Sequence, residues 1–465
     1  MTAIAPRPDL SPADALAALR RAIAGAIVAP GDRGWDEARV AWNLAVDQCP
    51  ALVALPSSAR DVAAVVAYAA DQGLQVAPQG TGHNAGPLGS LEDTILLKTE
   101  RLREVTIDPV ERTARVGAGV LWAEVVEAAA EYGLAALAGS SPDVGVVGYT
   151  LGGGLSWLAR KHGLACNQVL AVEVVAAEGE WIRADADTHA DLFWALRGGG
   201  GSFGVVTALE FALLPVREVV AGMLLWPIER APEVLRAYGD WTAGAPDEIT
   251  SLARLLHVPP LPELPDMLRG RAFVGIEASC LMDPDEAAHA LGALRALGPE
   301  IDTIGTVPVP GLLGLHMDPP HPVPGRGEGM LLGDLPDAAI DAMIAVAGGS
   351  GPSAIVSYEV RHLGGAIGRR GAGHGALDAI DAGWATFGVG MAMTPEVVAL
   401  IETSLAALET GLAPWRAGAY MNFTEGATDA RTMFRPEAYE RLQAVKAACD
   451  PDGRVRGNHP IPAAD

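Results

Sequence analysis

The stretch from Gly139 to Leu155, GSSPDVGVVGYTLGGGL, constrains this chain more than any other. Glycine occupies positions 139, 145, 148, 152, 153 and 154. Glycine weakens regular elements and is useful where backbone must come very close to something else. Turns of this kind free N–H groups to point into an anion-binding concavity. The run leads into LSWLARKHGL, whose apolar period predicts a helix with its N-terminus at the same spot. Two readings stand at this level: a cradle for a diphosphate-bearing cofactor, or a tight loop packed on a sheet without a ligand.

With 465 residues the chain exceeds one compact core, and two or three domains are expected. Its 33 basic and 57 acidic residues give a formal charge of −24, a surface that repels nucleic acid and anionic membranes. Neither is an expected partner. Cys49, Cys166, Cys280 and Cys449 form no C-x-x-C pair and no zinc spacing, so they read as buried small hydrophobes of a cytoplasmic protein. The N-terminal residues show no signal-peptide pattern, and no uninterrupted apolar run reaches the ~18 residues of a membrane span.

In chain order, a capped helix is expected over 11–26, followed by an arm, APGDRGWDEARVAWN, to which the sequence assigns no role. From Pro56 the pattern is regular: a helix from Ser58 to Gly73, strand QVAPQG, loop GTGHNAG and strand TILLKT. Hairpins are expected at EVTIDPVERTARVGAG and AVEVVAAEGEWIRAD, with helix LWAEVVEAAAEYGL and then the glycine run between them. Gly199, Gly201 and Gly204 match G-x-G-x-x-G, but they follow a helical pattern and open a strand, which excludes a Rossmann fingerprint. After Val216, strand-like runs (AGMLLWPI, AFVGIEASCLM, SAIVSYEVRHL, WATFGVGMAM) alternate with helices, and 305–329 reads as a long loop. That texture predicts an α+β unit on an antiparallel sheet.

The motifs QGTGHNAG, GSSPDVGVVGYTLGGG, AYMNFTEG and RLQAVKAACDP, in this order and spacing, resemble the berberine bridge enzyme-like branch of the vanillyl-alcohol-oxidase superfamily. The resemblance runs from Pro56 to Pro215 and resumes in the tail. It implies an α+β fold: a two-part FAD-binding domain of the PCMH type and an inserted α+β substrate domain. The expected boundaries are an N-terminal helix and arm (1–47), an FAD domain (48–216), a substrate domain (217–415) and a returning C-terminal segment (416–465).

By the same resemblance, His83 bonds covalently to the flavin 8α carbon. Gly80, Thr81, Gly82, Asn84, Ser140, Ser141, Val144, Gly145, Gly148, Tyr149, Gly152, Gly153, Gly204, Val205 and Val206 are the other expected FAD-binding residues. Val144 and Val146 are expected to line the flavin where oxygen approaches. Ser141 departs from the family, many of whose members have a cysteine there bonded to flavin C6. A hydroxyl is a poorer nucleophile than a thiolate, so one link through His83 is expected, not two.

Oxidation of an alcohol or enol needs a hydride acceptor and a base for the hydroxyl proton. Glu359, in SYEVRHL, is the leading candidate for the base. Strand alternation puts Ser357, Glu359 and Arg361 on one face and Tyr358 and Val360 on the other. The alternative is an ion pair between Glu359 and Arg361 on a solvated face. Tyr420 and Asn422 are the other catalytic candidates, and a core tyrosine with a satisfied hydroxyl is the competing reading of Tyr420. His316 and His321, in a proline-broken loop, read as loop or pocket-rim residues, and no metal is expected. The expected activity is an FAD-dependent oxidase of a hydroxyl- or enol-bearing small molecule with oxygen as acceptor. The alternatives are a dehydrogenase of the same fold and a flavin-binding protein without turnover.

Overall fold

The computed structural model describes residues 11–262 and 265–464. Residues 1–10, the start of the expected N-terminal segment, lie outside it. Three sheets carry the fold. In the first, Ala26–Val28 pairs antiparallel with Leu52–Leu55, which continues in parallel through Thr94–Lys98 to Gln75–Gln79. The second is antiparallel, in the order Val105–Asp108, Thr113–Gly117, Val205–Ala212, Val169–Val175, Trp181–Asp185. The third has nine strands, with the central order Glu218–Pro227, Ala272–Cys280, Ile249–His257, Ser357–His362, Trp384–Met391, Gly325–Leu332. Helices Ala231–Thr242, Asp337–Ala347 and Pro395–Leu412 pack on one face of this third sheet and leave the other to the site.

The chain's end folds back onto its beginning. Val76 donates to Arg454 O and accepts from Arg456 N, at 2.8 and 2.9 Å, so the tail lies along the first sheet. Helix Pro436–Cys449 brings Lys446 into the core, where it donates to Ser202 O, Val455 O and Asp450.

Several elements differ from expectation for visible reasons. The first helix stops at Ala22, because Gly25 must pass against Leu55, where a Cβ would lie 2.2 Å from the carbonyl oxygen. In LSWLARKHGL only Ala159–His162 is helical, and the helix lies earlier, at Val146–Leu151. The 305–329 loop holds strand Gly305–Pro308 and the start of Gly325–Leu332. Glycines at 325, 327 and 329 hid the second of these by removing its side-chain alternation. Strand Ile249–His257 went unread because ITSLARLLH has neither a clear period of two nor turn residues at both ends. Of the cysteines, only Cys166 and Cys280 are buried, while Cys49 is exposed. The helical stretch Pro395–Trp415 is long and apolar enough to cross a membrane by length and composition alone. Glu396, Glu402 and Glu409 interrupt it, and Ile401, Leu408 and Leu412 bury against the third sheet.

Candidate active site

His83 sits in the loop that follows strand Gln75–Gln79. Its ring stacks on Trp42 with centroids 3.9 Å apart and planes at 17°. Thr81 Oγ1 lies 2.7 Å from Nδ1, and Asp143 Oδ1 lies 3.4 Å from Nε2. The arm of unassigned role is what brings Trp42 here: Trp42 N donates to Thr81 O and Asn43 N to Gly82 O. Asn84 ties the loop to the tail by donating to Met421 O and Thr424 O at 3.2 and 3.1 Å. A cavity of about 230 Å³ opens beside His83, with Asn43, Arg326, Glu402 and Glu425 on its wall.

The glycine run serves two purposes. Gly145 caps helix Val146–Leu151, and a Cβ on Gly148 would meet nothing within 4 Å, so this side is open to a ligand. Gly152 instead admits the tail: a Cβ there would lie 1.9 Å from Asn422 Oδ1. Gly153 and Gly154 turn at positive φ, and Gly154 N donates to the Tyr420 hydroxyl at 2.9 Å. Asn422 Nδ2 donates to Tyr149 O at 2.9 Å and approaches the same hydroxyl at 3.3 Å. With two donors aimed at it, the Tyr420 oxygen keeps its own proton uncommitted. Ser140 and Ser141 are engaged by carboxylates, donating to Asp318 and Asp143, each at 2.7 Å.

Val146, at the start of helix Val146–Leu151, is fully buried in the core. Gly204, Val205 and Val206 lie where the second sheet begins, with the Cβ side of Gly204 closed by Val174 at 2.5 Å. Val205 and Val206 pair with Val175 and Val174 of strand Val169–Val175.

The open face of the third sheet carries a buried charge network. Glu359 Oε1 accepts from Arg361 Nε at 2.6 Å, and Glu359 Oε2 lies 3.0 Å from His316 Nε2. His316 Nδ1 lies 2.7 Å from Glu277 Oε2. Arg254 Nη2 contacts Glu277 Oε1 at 2.6 Å as an ion pair without good hydrogen-bond alignment, and its Nη1 donates to His316 O at 2.9 Å. Glu359 and Arg361 share a face, as alternation predicts, but the face is not solvated: Glu359 is 2% exposed. His316 is a loop residue, as one reading had it, but no rim residue, since it is buried and bridges two buried carboxylates.

Burial alone would raise the Glu359 pKa, but Arg361 and His316 outweigh it and hold the carboxyl well below its usual range. Burial opposes a proton on His316, yet Glu277, with help from Asp318 and Glu359, raises it to about 9. Trp157 and Phe423 flank Arg361, with ring centroids 5.8 and 5.1 Å from its Cζ. Phe423 in turn packs edge-on to Tyr420 at 5.2 Å. The network thus faces the tyrosine and the glycine run across one site. Arg254, Glu277 and Asp143 were missed in the sequence. The first two had a signal: each is the lone formal charge in its strand, flanked by apolar residues, which demands a partner.

A family model described as an FAD binding domain matches residues 50–185. The chain is 31% identical to (R)-6-hydroxynicotine oxidase of Paenarthrobacter nicotinovorans, over 94% of this chain and 97% of that one. The solved structure of 6-hydroxy-D-nicotine oxidase from Arthrobacter nicotinovorans superposes with a TM-score of 0.81 at 27% identity, covering 94% of this chain and 98% of the other. Glucooligosaccharide oxidase of Acremonium strictum, which carries a 6-S-cysteinyl, 8α-N1-histidyl FAD, has the same fold. Its TM-score is 0.82 at 23% identity, over 97% of this chain and 99% of its own.

The residues present fit such a cofactor. Asn84 Oδ1 and the Tyr149 hydroxyl are buried atoms without a hydrogen-bond partner. The open side of Gly148 lies on the same run, in the first turn of helix Val146–Leu151.

Proposed function

Because the chain belongs to the FAD-linked oxidases of the berberine bridge enzyme-like family, we propose that it oxidises a hydroxyl- or enol-bearing small molecule, a sugar or a secondary metabolite, and passes the electrons to oxygen. When bound, FAD supplies the hydride acceptor and its own reoxidation. Everything else falls to the side chains.

The observation that carries the reading is the Glu359–His316 pair, buried on the sheet face opposite Tyr420. Glu359 takes the substrate's hydroxyl proton as the hydride leaves. Its low basicity is no obstacle, since a hydroxyl on a carbon losing hydride becomes a protonated carbonyl, which is a strong acid. His316 and Arg361 keep the carboxylate ionised and aimed, and Tyr420 offers its free proton to the substrate oxygen. Trp157 and Phe423 supply apolar walls that exclude water.

His83 holds the cofactor by one covalent bond. The second link of glucooligosaccharide oxidase has no counterpart here: Ser141 is a hydroxyl bonded to Asp143, and burial pushes the Cys166 thiol up to about 12, which keeps it unreactive.

The test is a peroxide-coupled screen of hydroxyl-bearing compounds, followed by kinetics of Glu359→Gln and Tyr420→Phe with flavin content matched. Loss of a positioned proton acceptor predicts a kcat lower by about 100-fold or more for Glu359→Gln. Full activity in that variant removes Glu359 from the reaction. Slow recolouring of the reduced protein in oxygenated buffer favours a dehydrogenase instead.

A further inference from the structure

We infer that Asp143 and Trp42 are positioning residues for cofactor attachment: they hold His83 in the tautomer that leaves Nδ1, the nitrogen of the N1-histidyl link in glucooligosaccharide oxidase, free to bond the flavin. The inference rests on the covalent reading above. A neutral imidazole carries its proton on one nitrogen and a lone pair on the other, and its neighbours decide which. The Asp143 carboxylate lies 3.4 Å from Nε2 and would repel a lone pair there, so the proton belongs on Nε2. The Thr81 hydroxyl, 2.7 Å from Nδ1, then donates to the lone pair and holds it until carbon replaces the hydrogen bond.

Asp143 is itself held in place. Trp42 Nε1 donates to Oδ2 at 2.5 Å and Ser141 Oγ to Oδ1 at 2.7 Å. Burial alone would raise its pKa, but the nearby His83 ring and the bonds from Ser141 and Trp42 prevail and lower it to about 2, so it stays an anion at neutral pH. Trp42 also covers one face of the imidazole, with planes only 17° apart, which restricts rotation about χ2. The arrangement follows the carboxylate–imidazole logic of hydrolase triads: the acid fixes the tautomer and stabilises the positive charge that forms as the other nitrogen makes its bond. It also gives the N-terminal arm a role, because backbone bonds from Trp42 and Asn43 to Thr81 and Gly82 clamp the arm on this loop.

In the attachment, a bond forms between Nδ1 and the 8α carbon. The methyl group gives up one proton and the imidazole gives up the proton on Nε2. The electron pair and both protons pass to the flavin ring, from which oxygen removes them as hydrogen peroxide.

The test uses the full chain produced in a riboflavin-starved host, mixed with FAD, with acid-precipitable flavin followed over time. The linked nitrogen is then read by NMR of the flavin peptide. Wild type is expected to form an Nδ1 link. Asp143→Asn is expected to bind FAD but attach it roughly 100-fold more slowly, because an amide favours the wrong tautomer. Asp143→Glu restores much of the rate. Trp42→Phe, which keeps a stacked ring and loses the bond to Asp143, falls between them and keeps the inference testable should Asp143→Asn fail to bind FAD. Attachment in Asp143→Asn and Trp42→Phe at the wild-type rate, or a wild-type link through Nε2, overturns the inference alone. Wild type without any covalent flavin overturns the covalent reading and the inference with it.

Discussion

Glu425 lines the His83 cavity, and its carboxylate accepts from Gly327 N at 2.7 Å. Burial, reinforced by Glu328, raises its pKa to about 7. A carboxyl with a raised folded pKa gives its full stability contribution below the unfolded value of 4.5 and loses it as pH rises through 7. That loss amounts to about 3 kcal/mol. Glu425→Gln is therefore expected to melt higher than wild type at pH 8 and equally at pH 4.5, as thermal unfolding across pH will reveal. His316 is raised for a different reason, its two carboxylate partners, and as a cation it stabilises. Its contribution is complete below 6.5 and is lost as pH rises through about 9. His316→Gln is expected to flatten the decline in stability over that window; an unchanged decline would place its cause elsewhere. At this scale the sequence was legible where chemistry clusters locally, as in His83 with Thr81 or Glu359 with Arg361. It was not legible where partners are distant: Ser140 and Asp318 are 178 residues apart, and Trp42 and Asp143 are 101.

Helix Pro436–Cys449 shows what the returning tail contributes. Lys446 is 3% exposed and Asp450 is fully buried; their pairing, with the bonds from Lys446 to Ser202 O and Val455 O, pins the glycine loop before strand Val205–Ala212 to the tail. Lys446→Met leaves Asp450 without its cation, and removing one partner of a buried pair costs about 3–5 kcal/mol. A clear drop in melting temperature is expected, and a drop no larger than that of an exposed lysine substitution would contradict it. Capped helices and hairpins could be read from the sequence because their signals are local: Ser58 and Gly73 bound one helix as expected. The short helix inside the glycine run could not, since Gly152 and Gly153, which end it, answer to Asn422 and Tyr420, which only the folded chain brings near.

Across the whole molecule, three sheets meet at one site: the His83 loop follows the first, the glycine run and its helix sit beside the second, and the open face of the third supplies the charge network. The sequence conveyed the family and the α+β architecture through motifs that need local backbone geometry. It could not convey the network, whose members come from three strands and a loop. Acid unfolding removes all of this at once and leaves only covalent bonds. The most direct measurement is therefore to precipitate the purified protein in acid and ask where the yellow colour goes, beside His83→Ala. The account predicts that colour stays in the wild-type pellet and washes out of the variant. Colour that washes out of both would contradict the tether at His83, and a colourless wild type would contradict the flavin site itself.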